Sequence, residues 1–255
     1  QNGNVIKKTV DGQIEMEFEY DVENRLTKVR NGTGQQIAQY YYDPFGRRLS
    51  KEVGSIKTYF LYNEKGLSGE YDESGHQLQS YGFLSPGATW STDPIFLRKQ
   101  GHYFFYLKDH LKTPIKMIDA SGAVIWSAIY DSFGKGQVLN NSVINNLRFP
   151  GQYYDFETGL KYNWNRYYDS NSGRYGVKDF YISISSVLNF YNYANNNPIS
   201  YFDSKGLYSE ICILNIFGFS VPIGHYYLDI NGSAYGFRQY RPEGFIGKCG
   251  AFLAS

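Results

Sequence analysis

Tyr-Asp pairs recur along the chain, at Tyr20-Asp21, Tyr42-Asp43, Tyr71-Asp72, Tyr130-Asp131, Tyr154-Asp155 and Tyr168-Asp169, with Tyr62-Asn63 as a conservative variant. A Gly stands three residues after the Asp or Asn at Gly46, Gly66, Gly75 and Gly134. Tyr20, Tyr42 and Tyr62 lie 22 and 20 residues apart, and Tyr106, Tyr130 and Tyr154 follow at intervals of 24. A repeat of this period is a small supersecondary unit whose apolar face is buried only by its neighbours. The local chemistry is that of a turn. Asp accepts bonds from backbone N–H groups just ahead of it, and Gly takes the left-handed conformation that a Cβ resists. The preceding Tyr is expected to end a strand, half buried, with its hydroxyl on a polar partner.

The segments between these turns alternate. Ile14, Met16, Phe18 and Tyr20 share one face and Glu15, Glu17 and Glu19 the other, and Val124, Trp126, Ala128 and Tyr130 repeat the pattern. Period two is a strand signal. The runs Lys57–Tyr62 and Tyr103–Leu107 are apolar on both faces and predict strands covered from both sides or facing an enclosed interior. Tyr (26), Phe (18) and Gly (27) dominate the composition, which suits strands and tight turns and excludes a disordered chain. Helical periodicity is nearly absent; the best helix candidate is Ser183–Asn195. The predicted class is all-β, a continuous antiparallel sheet of hairpins.

The formal charge of +1 argues against a nucleic-acid binder working through a basic field and gives no reason to expect a membrane surface. The longest near-apolar run, Ile211–Gly224, is too short to span a bilayer. Residues 1–12 hold no apolar signal core, and the chain starts without Met, so it reads as one end of something longer. His76, His102 and His110 show no metal-ligand spacing, and Gly134-Lys135-Gly136 lacks the rest of a phosphate loop, so no cofactor, nucleotide or metal site is assigned.

The Y-D-x-x-G unit resembles that of Rhs/YD-repeat proteins. The segment from Leu147 to Leu207 carries the fuller match: Leu147-Arg148-Phe149-Pro150-Gly151-Gln152-Tyr153-Tyr154-Asp155, Glu157-Thr158-Gly159-Leu160, Asn165-Arg166-Tyr167-Tyr168-Asp169, Ser172-Gly173-Arg174-Tyr175, Asn195-Asn196-Asn197-Pro198 and Asp203-Ser204-Lys205-Gly206-Leu207. This resembles the Rhs-associated core. The resemblance implies a YD-repeat segment of a spiralling β-shell over residues 1–146, a core or plug over 147–207, and a variable C-terminal tip over 208–255. It also implies a polymorphic toxin, secreted or delivered into a target cell by type VI or related machines in bacterial competition or host intoxication. Its partners would be the N-terminal remainder of the shell, a secretion-machine adapter and an immunity protein.

The resemblance further implies self-cleavage after the Gly-Leu of a closing Asp-Pro-x-Gly-Leu motif, which here is the Leu207–Tyr208 bond. Asp203 matches the Asp of that motif, Asp179 the Asp of an earlier copy, and Arg166 an Arg that supports cleavage. The implied chemistry is that of an aspartyl protease, with two carboxylates sharing a proton around a water. Two departures stand out. Asp179-Phe180-Tyr181-Ile182 has neither the Pro nor the Gly, and Asp203-Ser204-Lys205-Gly206 lacks the Pro. Pro stiffens such a turn, so its absence predicts a less preorganised pair.

The tail holds both cysteines and no Tyr-Asp pair. Gly224–Phe237 reads as a hairpin around Asn231-Gly232, with His225 at its first strand. His225 with Cys249 or Cys212 as thiolate would make half of a Cys/His hydrolase; the plainer reading is a strand histidine and two small apolar cysteines. The remaining alternative is a YD-repeat surface module that binds carbohydrate or protein.

Overall fold

The structure, a computed structural model, describes residues 2–83, 90–179 and 189–207, together with the backbone of six short strands between Glu210 and Gly250. Thirteen strands make one sheet: β1 (Lys7–Val10), β2 (Gln13–Tyr20), β3 (Leu26–Asn31), β4 (Gln36–Tyr42), β5 (Arg48–Val53), β6 (Ile56–Asn63), β7 (Gly66–Tyr71), β8 (Gln77–Phe83), β9 (Pro94–Lys99), β10 (His102–Lys108), β11 (Pro114–Ile118), β12 (Val124–Tyr130) and β13 (Gly136–Asn141). They pair strictly in sequence order, each neighbour antiparallel. The all-β expectation holds.

One turn is built repeatedly. At Asp21, Asn31, Asp43, Asp72, Asp109, Asp119 and Asp131, the side-chain Oδ1 accepts the N–H groups two and four residues on. The backbone of the same residue accepts the N–H three residues on. That third residue has positive φ: Gly46 at 76°, Gly75 at 80°, Gly122 at 87° and Gly134 at 79°, but also Asn24 at 62° and Lys112 at 71°. The Tyr-Asp pair therefore marks only some of the turns. Those led by Arg30, Lys108 and Ile118 share the geometry without the Tyr. The tyrosines behave as expected. Tyr20, Tyr42 and Tyr62 are half buried and donate to the carbonyls of Val5, Leu26 and Arg48 at 2.9, 2.5 and 2.9 Å. Each hydroxyl thus ties its own turn to a more N-terminal segment.

A second, small sheet lies against one face of the first: β14 (Tyr153–Tyr154), β15 (Lys161–Asn163), β16 (Arg166–Asp169) and β17 (Arg174–Tyr175). Phe18, Val29, Tyr40, Phe60, Met117 and Trp126 of the large sheet share a core with residues of this small one. Complete burial of side chains such as Trp126 and Met117 contributes about 1.5–3 kcal/mol each. Flat, thirteen strands would place the two outer edges roughly 58 Å apart at the usual strand spacing. Yet Val5, beside β1, donates its N–H to Gly176, while Phe133, beside β13, accepts the Tyr168 hydroxyl. Both contacts fall on or beside β16 and β17, so the large sheet curls around the small one.

The opposite face of the large sheet is open. Tyr103, Phe105 and Leu107 are exposed, and so is Leu61. Of the two expectations for the doubly apolar runs, cover on both sides is corrected, while burial of the inward residues alone, Phe60 and Tyr106 among them, fits strands facing an enclosed interior. Of the expected helix Ser183–Asn195, residues 183–188 lie outside the described residues, and a single 3-10 turn stands at Ala194–Asn196. After β18 (Tyr201–Phe202) the chain returns antiparallel as β19 (Glu210–Cys212). Leu228–Ile230 and Ser233–Tyr235 pair antiparallel, as the expected hairpin requires, while Asn231 and Gly232 lie outside the described residues.

Candidate functional site

The two-residue turn between β15 and β16, Trp164-Asn165, delivers Arg166 to the junction of the small sheet and the closing segment 203–207. There Arg166 Nη2 meets Asp179 Oδ2 at 2.8 Å and Asp203 Oδ2 at 3.3 Å. The residues that the family resemblance singled out, distant in sequence, therefore share one nitrogen. All three are buried. Arg166 Nε donates to the Gly206 carbonyl at 2.5 Å, and its guanidinium lies 3.7 Å above the Tyr175 ring.

Asp203 is held from both oxygens. Its Oδ1 accepts the N–H groups of Lys205 and Leu207 at 3.2 and 3.1 Å, and Gly206 has φ of 67°. The Asp203 side chain binds the N–H groups two and four residues on, as at Asp43, where Pro44 follows the Asp. With Ser204 in place of Pro these bonds are longer, 3.2 and 3.1 Å against 2.9 Å at Asp43. Asp203 Oδ2 accepts the Tyr175 hydroxyl at 2.9 Å. Burial raises the Asp203 carboxyl above its usual range, against the opposing pull of Arg166, Tyr175 and the two backbone donors. A buried carboxyl whose pKa is raised beside a second carboxylate is suited to general acid–base work.

Leu207 donates its N–H to Asp203, whereas Tyr208 lies outside the described residues. Asp179-Phe180-Tyr181-Ile182 is described only at Asp179, whose N–H bonds the Phe190 carbonyl at 2.9 Å. His225 also lies outside the described residues. Cys249 is described in backbone only, register-paired with Cys212. Among the described residues no three of His, Cys, Asp and Glu gather as a metal set, and no helix is long and apolar enough to cross a membrane.

Sequence reasoning missed a second buried cluster. Asp155 belongs to a Tyr-Asp pair, but its carboxylate accepts from Arg48 Nη1 at 2.5 Å and Lys51 Nζ at 2.9 Å, and Lys51 also binds Glu157 at 3.0 Å. Burial alone would lift the Asp155 carboxyl; Arg48 and Lys51 outweigh it and hold it low. Arg48 sits among the rings of Tyr40, Phe60, Tyr153 and Tyr162, at 4.5 to 5.3 Å. This cluster fastens the small sheet to β5. The longer loop after Asp155, closed by Gly159 N–H to the Asp155 carbonyl, was the available signal that this Tyr-Asp pair differs from the others.

Comparison with known proteins follows the same lines. The family model described as Teneurin YD-shell matches residues 1–199. Double-stranded DNA deaminase toxin A of Burkholderia cenocepacia is 29% identical over 237 residues, covering 80% of this chain and 16% of that protein. Toxin protein Tse5 of Pseudomonas aeruginosa is 33% identical over 221 residues, covering 83% of this chain and 17% of its own length. The chain thus spans about a sixth of either relative. A solved Tc holotoxin pore of Photorhabdus luminescens superposes with a TM-score of 0.58 at 17% identity, covering 83% of this chain and 11% of the solved one.

Proposed function

The chain belongs to the Teneurin YD-shell family, and we propose that it is the closing end of a toxin-carrying shell that cuts its own backbone after Leu207. In this reading residues 1–146 are shell, 147–207 the core that plugs it, and 208–255 the released tip. The observation that carries it is the convergence of Asp179 and Asp203 on Arg166 within one turn of Leu207. Relatives named as toxins support the toxin half of the reading.

Chemically, Asp179, the carboxylate nearer the Arg166 guanidinium, is the base that takes a proton from a water that attacks the Leu207 carbonyl carbon. Asp203, whose carboxyl burial raises, is the acid that gives a proton to the Tyr208 nitrogen as the amide breaks. The products are a Leu207 carboxylate and a free Tyr208 amine. Arg166 holds both carboxylates and the Gly206 carbonyl, which fixes the segment before the reacting bond. The pairing of β18 with β19, strands that flank the bond, supports a tip held against the core when the bond is cut. The N-terminal remainder of the shell, a secretion adapter and an immunity protein are the partners this reading requires, with delivery into a target cell as its setting.

The test is the intact mass of the purified chain. Two fragments, 1–207 and 208–255, are expected from the wild type and one intact chain from Asp203→Asn and Asp179→Asn. A wild-type mass that stays whole contradicts the reading.

A further inference from the structure

Three side chains around one hairpin turn bind three backbone carbonyls of the closing segment. Asn163 Nδ2 donates to the Asp203 carbonyl at 2.7 Å, Asn165 Nδ2 to that of Lys205 at 2.9 Å, and Arg166 Nε to that of Gly206 at 2.5 Å. The Asn165 backbone N–H adds a longer bond to the Lys205 carbonyl at 3.3 Å. A Cβ built on Gly206 would stand 2.7 Å from the Asn163 carbonyl oxygen, so the two backbones pass too close for any side chain there. The Lys205 ammonium sits 5.6 Å from the Trp164 ring centre. That ring packs on Trp90 at 3.8 Å, and Trp90 stacks on Tyr62 of β6 at 5.2 Å. Trp164 itself has φ of 53°, a conformation that a bulky residue seldom adopts.

We propose that this turn, Asn163 to Arg166, is a substrate cradle: it binds residues 203–206 as a protease binds the residues before its scissile bond. Asn165 and Trp164 are its positioning residues for Lys205. The proposal rests on the self-cleavage reading above. Gripping main-chain carbonyls fixes a segment whatever its side chains. The Trp164 face adds preference for a cation at position 205, and the Trp90 stack anchors the cradle to the large sheet. These bonds reach carbonyls on the N-terminal side of Leu207. They act by holding the reacting carbonyl where the carboxylates meet it, and small misplacements at that distance slow a reaction strongly.

Asn165 is exposed, so its replacement spares the core. In the full chain, Asn165→Ala is expected to slow self-cleavage roughly 5- to 10-fold through the lost bond, with an unchanged melting temperature and an unchanged pH profile. Asn165→Gln, which keeps an amide donor, is expected to recover part of the rate. Independently of self-cleavage, trypsin should cut after Lys205 faster in Asp203→Asn/Asn165→Ala than in Asp203→Asn alone, because the carbonyl is released. A wild-type rate in Asn165→Ala, a slowing matched by a fall in melting temperature, or an unchanged tryptic rate overturns the cradle. A wild-type chain that never cleaves overturns the self-cleavage reading itself, and with it the cradle's role as a substrate site.

Discussion

Tyr175 donates its hydroxyl to Asp203 at 2.9 Å while its ring lies 3.7 Å under the Arg166 guanidinium, so one aromatic side chain braces both the acid and the cation of the candidate site. Burial is the largest influence raising the Asp203 carboxyl, and the Tyr175 hydroxyl is one of the groups that restrain it. Tyr175→Phe removes that restraint and drives Asp203 further up. If Asp203 acts as the proton donor, self-cleavage falls as pH rises through its titration. The phenylalanine variant should then keep cleaving to higher pH than the wild type. Rates of fragment formation across a pH series check this; an unmoved alkaline limb contradicts it.

Asp155 is fully buried between Arg48 and Lys51. Asp155→Asn strands the buried Arg48 guanidinium and leaves Lys51 only Glu157, and removing one partner of such a cluster costs about 3–5 kcal/mol. Arg48→Met with Asp155→Leu should cost much less than the sum of the single changes, since neither charge is left alone. Chemical denaturation of the two single variants and the double variant measures the coupling.

Lys161 is buried on β15, donates to the Gly134 carbonyl, and lies 5.0 Å from the Phe149 ring centre. Burial, with Arg148 nearby, lowers it from its usual 10.5 to about 7. Between those two values the unfolded chain binds the proton and the folded chain does not. Stability therefore rises with pH across that window, by up to roughly 1.4 kcal/mol per pH unit. Lys161→Met should flatten this rise and be the more stable chain below pH 7. Denaturation midpoints at pH 6 and pH 9 decide it.

Gly46, Gly75 and Gly122 have φ of 76°, 80° and 87°, with nothing within 4 Å of an added Cβ. Alanine at any of them should cost about 1–2 kcal/mol from backbone conformation alone. The three costs should be nearly equal and add in the triple variant. Unequal costs measured by denaturation would mean that packing rather than turn geometry is at work.

The strand order and the turn chemistry were legible because both are local. Asp, a residue with positive φ and period-two alternation all lie within one repeat. The turns at Asn31, Asp109 and Asp119 escaped notice because the Tyr before them is replaced, although Oδ1 binds the same two N–H groups. The open outer face at Tyr103, Phe105 and Leu107 also differed from expectation, since alternation tells which residues share a face but not what covers it. At the site, Asp179, Asp203 and Arg166 were legible only through a family pattern. Tyr175 and Asn165 stood within the same motif without a role, because their partners lie 28 and 40 residues away. Contacts of that range depend on how the small sheet seats in the curl of the large one, which no local periodicity encodes.

The central claim is hydrolysis of one bond by two carboxylates. Its most direct measurement is mass spectrometry of the chain folded in oxygen-18-labelled water. A fragment ending at Leu207 that carries one heavy oxygen in its new carboxylate, a partner fragment beginning at Tyr208, and neither fragment from Asp203→Asn are the predicted result. An intact wild-type chain, a cut elsewhere, or the same cut in Asp203→Asn would contradict it.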